Sequence, residues 1–237
     1  MDSNPKEAPS CDINAEDSCC YSSEPKQTEV QHLKEHWNKS YESKALEQLG
    51  WYEENPLPSL QLIEKTGLKS NARIFNAGAG ATTLVDELLK NGFQNIIIND
   101  LSSTAIELLK NRLGEKASDL QWIEDDLTNP KELQSLKEVD LWHDRAVLHF
   151  FHTPQEQKTY FDLVRKVVKP EGFVIIAAFN LEGAASCSGL PVFRYNAEMI
   201  KERIGEDFEL IKAFDYTYTM PSKNTREYVY TLFKRKK

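Results

Sequence analysis

From Ala72 onward, short apolar runs alternate with stretches of helical spacing. The runs, bounded by turn residues, predict strands at Ala72–Ala77, Asn95–Asp100, Leu120–Glu124, Val139–His143 and Phe173–Phe179. Between them, apolar residues every three or four positions predict helices over Thr82–Asn91, Ser103–Leu113 and Gln155–Val168, with a short one near Pro130–Leu136. Ser102 is placed to cap the second of these. Repeated βα units of this length imply an α/β fold: a doubly wound, Rossmann-like parallel sheet covered on both faces. After a polar loop at Asn180–Arg194, Ala197–Ile204 predicts a last helix. Phe208–Thr217 and Arg226–Lys234 then alternate as an antiparallel closing pair.

Upstream of the sheet pattern, Val30–Leu49 carries His32, Leu33, His36, Trp37, Tyr41, Leu46 and Leu49 in an amphipathic helical pattern that Gly50 stops. Trp51 and Tyr52 open a loop, and Pro56 and Pro58 mark entry to a second helix, Leu57–Lys65, closed by Gly67. Residues 29–68 are therefore expected to form a helical lid ahead of a domain spanning 69–237. Trp37, Tyr41 and Trp51 are its candidate substrate contacts, since Trp and Tyr offer rigid area with a polar handle. The plainer alternative is a helical staple packed on the sheet. Residues 1–28 are polar and acidic and cannot bury enough apolar area to offset their ordering entropy, which predicts a disordered acidic tail.

A chain of 237 residues that is 40% hydrophobic suffices for one well-buried core with extensions. The net charge of −8 and pI near 5.3 argue against nucleic acid or an acidic membrane as partner. Small molecules or proteins remain. No apolar stretch approaches the roughly eighteen residues that span a bilayer, and the acidic start lacks a secretory signal's basic and apolar regions, so a cytoplasmic location is expected. Cys11, Cys19, Cys20 and Cys187 follow no zinc-type spacing; free thiols and no metal site are expected. The alternative for the tail cysteines is capture of a soft metal or metalloid.

The first strand runs into Asn76-Ala77-Gly78-Ala79-Gly80 and then a helix, a strand–turn–helix whose bare turn lets a ligand lie against backbone and helix start. Asp100 ends the next strand, about twenty residues on, where an acid can hold both hydroxyls of a ribose. The third glycine of the dinucleotide fingerprint is replaced by Ala81, Thr82 and Thr83, which disfavours a pyrophosphate and a nicotinamide dehydrogenase. A cofactor with a ribose but no phosphate fits better.

Asn76 to Gly80, Asp100, Asp125-Asp126-Leu127, Asp140-Leu141-Trp142-His143-Asp144 and Lys169-Pro170-Glu171-Gly172-Phe173 together resemble the successive motifs of class I S-adenosylmethionine-dependent methyltransferases. The likeness runs from about Val30 to the C-terminus. It implies a seven-stranded sheet of order 3-2-1-4-5-7-6 with strand seven antiparallel, and S-adenosyl-L-methionine as cofactor. Carried over by residue, Gly78 and Gly80 would face the methionine and ribose, with Leu101 beside Asp100 on the ribose acid's turn. Asp126 or Asp125 would accept the adenine amino group, with Leu127 or Trp122 against the ring. The family usually has an acid at the position of Asn76, near the cofactor's amino group, and Asp144 is the candidate replacement for that charge.

The stretch Trp142-His143-Asp144-Arg145-Ala146-Val147 follows strand four. Its Asp-Arg-Ala is similar to the Asp-Arg-Gly of thiopurine and related thiol methyltransferases, and His-Asp-Arg-Ala-Val to a group of bacterial methyltransferases. Transfer from a sulfonium needs an in-line nucleophile and, for a protonated acceptor, a base. His143 and His149 are the candidate bases. Arg145 is a candidate contact to substrate, to the cofactor's carboxylate, or to Asp144. Cys187 and Arg194, in the loop after strand five, are further substrate candidates. The short lid and the lack of a separate recognition domain point to a small-molecule acceptor. The alternatives are a protein lysine, a thiol or metalloid such as tellurite or arsenite, and a non-catalytic module that keeps the cofactor.

Overall fold

The computed structural model describes residues 24–237. Cys11, Cys19, Cys20 and most of the predicted acidic tail lie outside them. Helix α1 spans Glu24–Glu42, so it opens inside the stretch assigned to the tail, and it ends before the expected Leu49. Leu46–Gln48 is instead a separate 3-10 turn, and α2 follows at Leu57–Thr66, closed by Gly67 at φ 67°. The sheet domain then runs β1 (Ile74–Ala77), α3 (Leu84–Lys90), β2 (Ile96–Asp100), α4 (Ser103–Leu113), β3 (Gln121–Glu124), β4 (Val139–Arg145), α5 (Pro154–Val167) and β5 (Val168–Phe179). A two-strand hairpin β6 (Ser186–Cys187) and β7 (Leu190–Pro191) precedes α6 (Ala197–Ile204), β8 (Phe208–Thr219) and β9 (Thr225–Arg235).

The seven-stranded sheet has the order β3-β2-β1-β4-β5-β9-β8. All pairs from β3 to β5 are parallel, and β9 is antiparallel to both β5 and β8. Because β6 and β7 form their own small hairpin, this is the expected order, with the last two strands of the sheet as β8 and β9.

Alternation along the strands divides the core into two layers. Phe75, Ile97, Trp142, Val174 and Ile176 face one side, under α5 and α6; Ile74, Ile96, Ile98, Leu141, Ile175 and Ala177 face the other, under α2, α3 and α4. Both faces are apolar, so the central strands read as unbroken hydrophobic runs. Phe75 and Trp142 stack 4.4 Å apart, an aromatic pair that adds about 0.5–1.5 kcal/mol beyond area burial.

Side-chain caps fix where the covering helices begin. Thr153 and Glu156 form a reciprocal capping box on α5, which turns Tyr160, Phe161, Leu163, Val164 and Val167 inward. Ser102 caps α4 by accepting from Ala105 N. Strand β5 begins five residues before the predicted Phe173, at Val168. Between the pairs Val139–Val168 and Leu141–Phe173 the chain bulges, with Glu171 at φ 62°. The Lys-Pro-Glu-Gly stretch is therefore a bulge inside the strand rather than a turn before it.

Candidate active site

The carboxyl ends of β2, β1 and β4 meet at the point where strand order reverses, which is where open α/β sheets leave a crevice. A cavity of about 430 Å³ lies there, roofed by α1 and the loop between α1 and α2. Its floor is the glycine turn after β1. Gly78 and Gly80 have φ of 51° and 55°, and a Cβ added to either would meet Val147 Cγ2 at 2.2 Å or Tyr41 Oη at 2.1 Å. No other residue fits this turn without displacing its neighbours.

Asp100, at the end of β2, is held by backbone. Its Oδ2 accepts from Gly80 N at 2.7 Å and its Oδ1 from Ser102 N at 2.7 Å. Burial raises its pKa to about 6 against these hydrogen bonds. A carboxylate offers about four lone-pair sites, so each oxygen keeps room for one more donor. Leu101, beside it, also lines the cavity.

At the end of β3 the two adjacent acids divide. Asp125 is buried and accepts from Lys131 N and Leu133 N, capping the 3-10 turn Glu132–Ser135. Asp126 uses only Oδ1, for Thr128 N and Oγ1; Oδ2 has no hydrogen-bond partner among the described residues. Of the ring candidates, Leu127 lines the cavity, whereas Trp122 is turned to donate to Ala117 O.

On β1, Asn76 is buried and 3.0 Å from His143 Nδ1 on β4; His143 Nε2 is 2.9 Å from Ser59 Oγ on α2. Burial, with Arg145 as the lesser cause, lowers the His143 pKa to about 3. Both of its nitrogens are engaged, so a proton-accepting role toward substrate has no free atom. His149 lies outside the cavity: it is buried between Phe150 and Phe179 and its Nδ1 accepts from Phe179 N.

Asp144 also turns away from the crevice. It accepts from Val147 N, Leu148 N and, at 2.6 Å, Tyr160 Oη, so it caps the turn after β4 rather than replacing the charge missing at Asn76. Ala146 at φ 69° makes that return possible, a backbone strain of about 1–3 kcal/mol located at the rim of the site. Burial, opposed by those three donors, raises the Asp144 pKa to about 7.

Arg145 contacts neither Asp144 nor the glycine turn. Its Nε lies 2.8 Å from Glu53 Oε2 and donates to Tyr230 Oη, and its Nη1 donates to Trp51 O. The guanidinium carbon sits 5.0 Å from the ring centres of both Tyr218 and Tyr228. Burial alone would lower its pKa, but Tyr228, Tyr230 and Glu53 outweigh it and hold the charge firmly. Glu53 is a wall residue that sequence reasoning missed, because it lies in a loop without periodicity; Ser59, hidden in the apolar spacing of α2, is a second.

The aromatic lid residues come together. Trp51 Nε1 donates to Tyr41 Oη, and Trp37 packs edge-on against both Trp51 and Phe150. Tyr41 stands over Gly80 at the glycine turn. Cys187 lines the far wall on β6, its thiol pushed up to about 11 by burial, and so is protonated at neutral pH. Arg194 does not reach the cavity; it donates to Leu181 O and Gly183 O.

Residues 74–172 match the family model of a methyltransferase domain. This stretch is a methyltransferase domain. The bare turn, the acceptor sites left on Asp100 and the open oxygen of Asp126 fit S-adenosylmethionine, which would supply an electrophilic methyl group. The chain is similar to EEF1A lysine methyltransferase 2 of Danio rerio, 27% identical over 190 residues, covering 74% of this chain and 79% of that protein. It shares its fold with a methyltransferase from Anabaena variabilis (TM-score 0.69, 14% identity, 87% of this chain and 95% of that one). It also shares it with 1,6-didemethyltoxoflavin-N1-methyltransferase of Burkholderia thailandensis, solved with 1,6-didemethyltoxoflavin and S-adenosylhomocysteine (TM-score 0.66, 18% identity, 98% and 94%). Among the described residues no helix is long and apolar enough to cross a membrane.

Proposed function

We propose that this methyltransferase acts on a small-molecule acceptor. The observation that carries the reading is the roof: α1 and the loop from Trp51 to Pro56 close the cavity with Trp37, Tyr41, Trp51 and Tyr52, leaving an aromatic pocket of a size that small ligands fill. The residues around it hold, orient and exclude water; of the two candidate bases, His143 has both ring nitrogens engaged and His149 lies outside the cavity. Rate enhancement on this reading comes from positioning the acceptor in line, an effect worth up to about 7–11 kcal/mol. Arg145 belongs to the frame that places the roof over the pocket.

A protein lysine is the second reading, favoured by the likeness to the zebrafish lysine methyltransferase. Incubating cell lysate with radiolabelled S-adenosylmethionine, then separating protein from metabolites, decides between them. Label in the small-molecule fraction is expected. Label confined to protein bands would replace the first reading with the second.

A further inference from the structure

Three residues from three elements form one hydrogen-bonded row beneath the cavity: Asn76 on β1, His143 on β4 and Ser59 on α2, with contacts of 3.0 and 2.9 Å. Counting protons fixes the direction of the row. If Ser59 donates to Nε2, then Nδ1–H donates to Asn76 Oδ1, and the only buried groups left over are the two N–H bonds of Asn76 Nδ2. The opposite direction would strand the Ser59 hydroxyl proton, an Asn76 N–H and the Asn76 carbonyl, one buried polar group more. The first arrangement is therefore the lower in energy, since each buried unpaired group costs about 1–3 kcal/mol. Nδ2 has no partner among the described residues.

Asn76 stands between the glycine turn and β4 and forms part of the cavity wall. Asp100 lies on the opposite flank of β1, on β2, and marks the ribose side, so the row lies toward the methionine end of the cofactor. That end carries a carboxylate and an ammonium. We propose that Asn76 Nδ2 donates to the methionine carboxylate, so that this chain reads the amino-acid end of its cofactor with a donor where the related pattern places an acid. The row explains why an amide suits the position. An aspartate would also accept from His143 Nδ1, but it would turn a negative oxygen toward the carboxylate and favour the ammonium instead. The proposal rests on the cofactor assignment.

The test is calorimetric titration of the full chain with S-adenosylmethionine and with decarboxylated S-adenosylmethionine, which keeps the amine and lacks the carboxylate. Wild type is expected to bind the decarboxylated form at least about tenfold more weakly, the range of a lost charge-assisted hydrogen bond. Asn76→Asp is expected to shrink that ratio about tenfold or more, with a melting scan to verify folding. Equal binding of the two ligands by wild type overturns the proposal without help from the variant, as does an unchanged ratio in a folded Asn76→Asp. Nitrogen-15 NMR of His143 provides an independent readout: a neutral ring protonated at Nδ1 is expected, and a ring protonated at Nε2 overturns the direction of the row. If S-adenosylmethionine itself gives no heat, the cofactor assignment falls, and the proposal with it.

Discussion

Arg145 on β4 and Glu53 on the roof loop form an ion pair of 2.8 Å in which both side chains are about nine-tenths buried (11% and 9% exposed). The pair joins the sheet to the segment that closes the site, and Trp51 O on Arg145 Nη1 adds a second tie. Burial raises the Glu53 pKa above the usual carboxylate range, opposed by Arg145, which marks the desolvation cost of the arrangement. Removing one partner leaves the other buried and uncompensated. Glu53→Gln is expected to lower unfolding stability by about 3–5 kcal/mol, whereas Glu53→Leu combined with Arg145→Met should cost less than either single change. Urea denaturation of Glu53→Gln, of Glu53→Leu and Arg145→Met singly, and of the double variant measures this; a double mutant worse than both singles would mean that the pair is not the tie.

Whereas the order β3-β2-β1-β4-β5-β9-β8 followed only from the resemblance of the motifs, the alternation of strands and helices and the glycine turn were legible in the sequence because both are written locally, in apolar runs and in two glycines. The fate of the residues after β4 was not. Asp144 and Arg145 are adjacent, yet a positive φ at Ala146 folds the backbone amides of Val147 and Leu148 onto Asp144 and leaves Arg145 to pair with Glu53 on the roof loop. Glu53 gave no signal because its partner is distant in sequence and its loop has no period. His143 looked like a base on residue type alone; its two neighbours, Asn76 and Ser59, come from separate elements that only the tertiary fold brings together.

Tyr41 couples the roof to the glycine turn. Its hydroxyl occupies the space a side chain at Gly80 would need and also receives the Trp51 Nε1 proton. Gly80→Ala is expected to displace Tyr41, break that hydrogen bond and weaken S-adenosylhomocysteine binding about tenfold, in addition to the strain of a non-glycine residue at φ 55°. Adding Tyr41→Phe should recover part of the loss by removing the colliding oxygen. Calorimetry reads the affinities, and Trp51 fluorescence reads the roof; no recovery in the double variant would place the damage in the backbone alone.

Asp100 sets a pH dependence for the cofactor. With a pKa near 6, its carboxylate is ionised above that value and able to accept from two ribose hydroxyls; below it, a proton occupies one acceptor site. Donors that bind the ionised form lower its pKa in the complex, so affinity is expected to rise with pH through about 6 and then level. Asp100→Asn should abolish this step, and Asp100→Ala should weaken binding by roughly 1.5–3 kcal/mol, the range of a charge-assisted hydrogen bond. Titrations of S-adenosylhomocysteine from about one pH unit below that pKa to about two above it would refute the ribose assignment if Asp100→Ala bound as wild type does.

His143 gives a second pH signature, in stability rather than binding. Its folded-state pKa is lowered to about 3 from 6.5, so the folded protein refuses a proton that the unfolded chain accepts. The stabilisation from the neutral ring is fully present above about 6.5 and is lost as pH falls toward 3. In His143→Gln this titration disappears, although the row from Ser59 to Asn76 is disturbed at every pH. The variant is therefore expected to be less stable than wild type at neutral pH by about 1–3 kcal/mol, the cost of unmade buried hydrogen bonds. The gap should narrow by about 1.4 kcal/mol per pH unit on acidification through that window and change sign before its lower end, because wild type alone loses the contribution. Asp100, Asp144 and His149 titrate in both proteins and cancel in the difference. Urea unfolding of the two proteins at successive pH values measures the gap; a gap that stays constant would show that His143 is protonated in the fold and that the row runs through a charged ring.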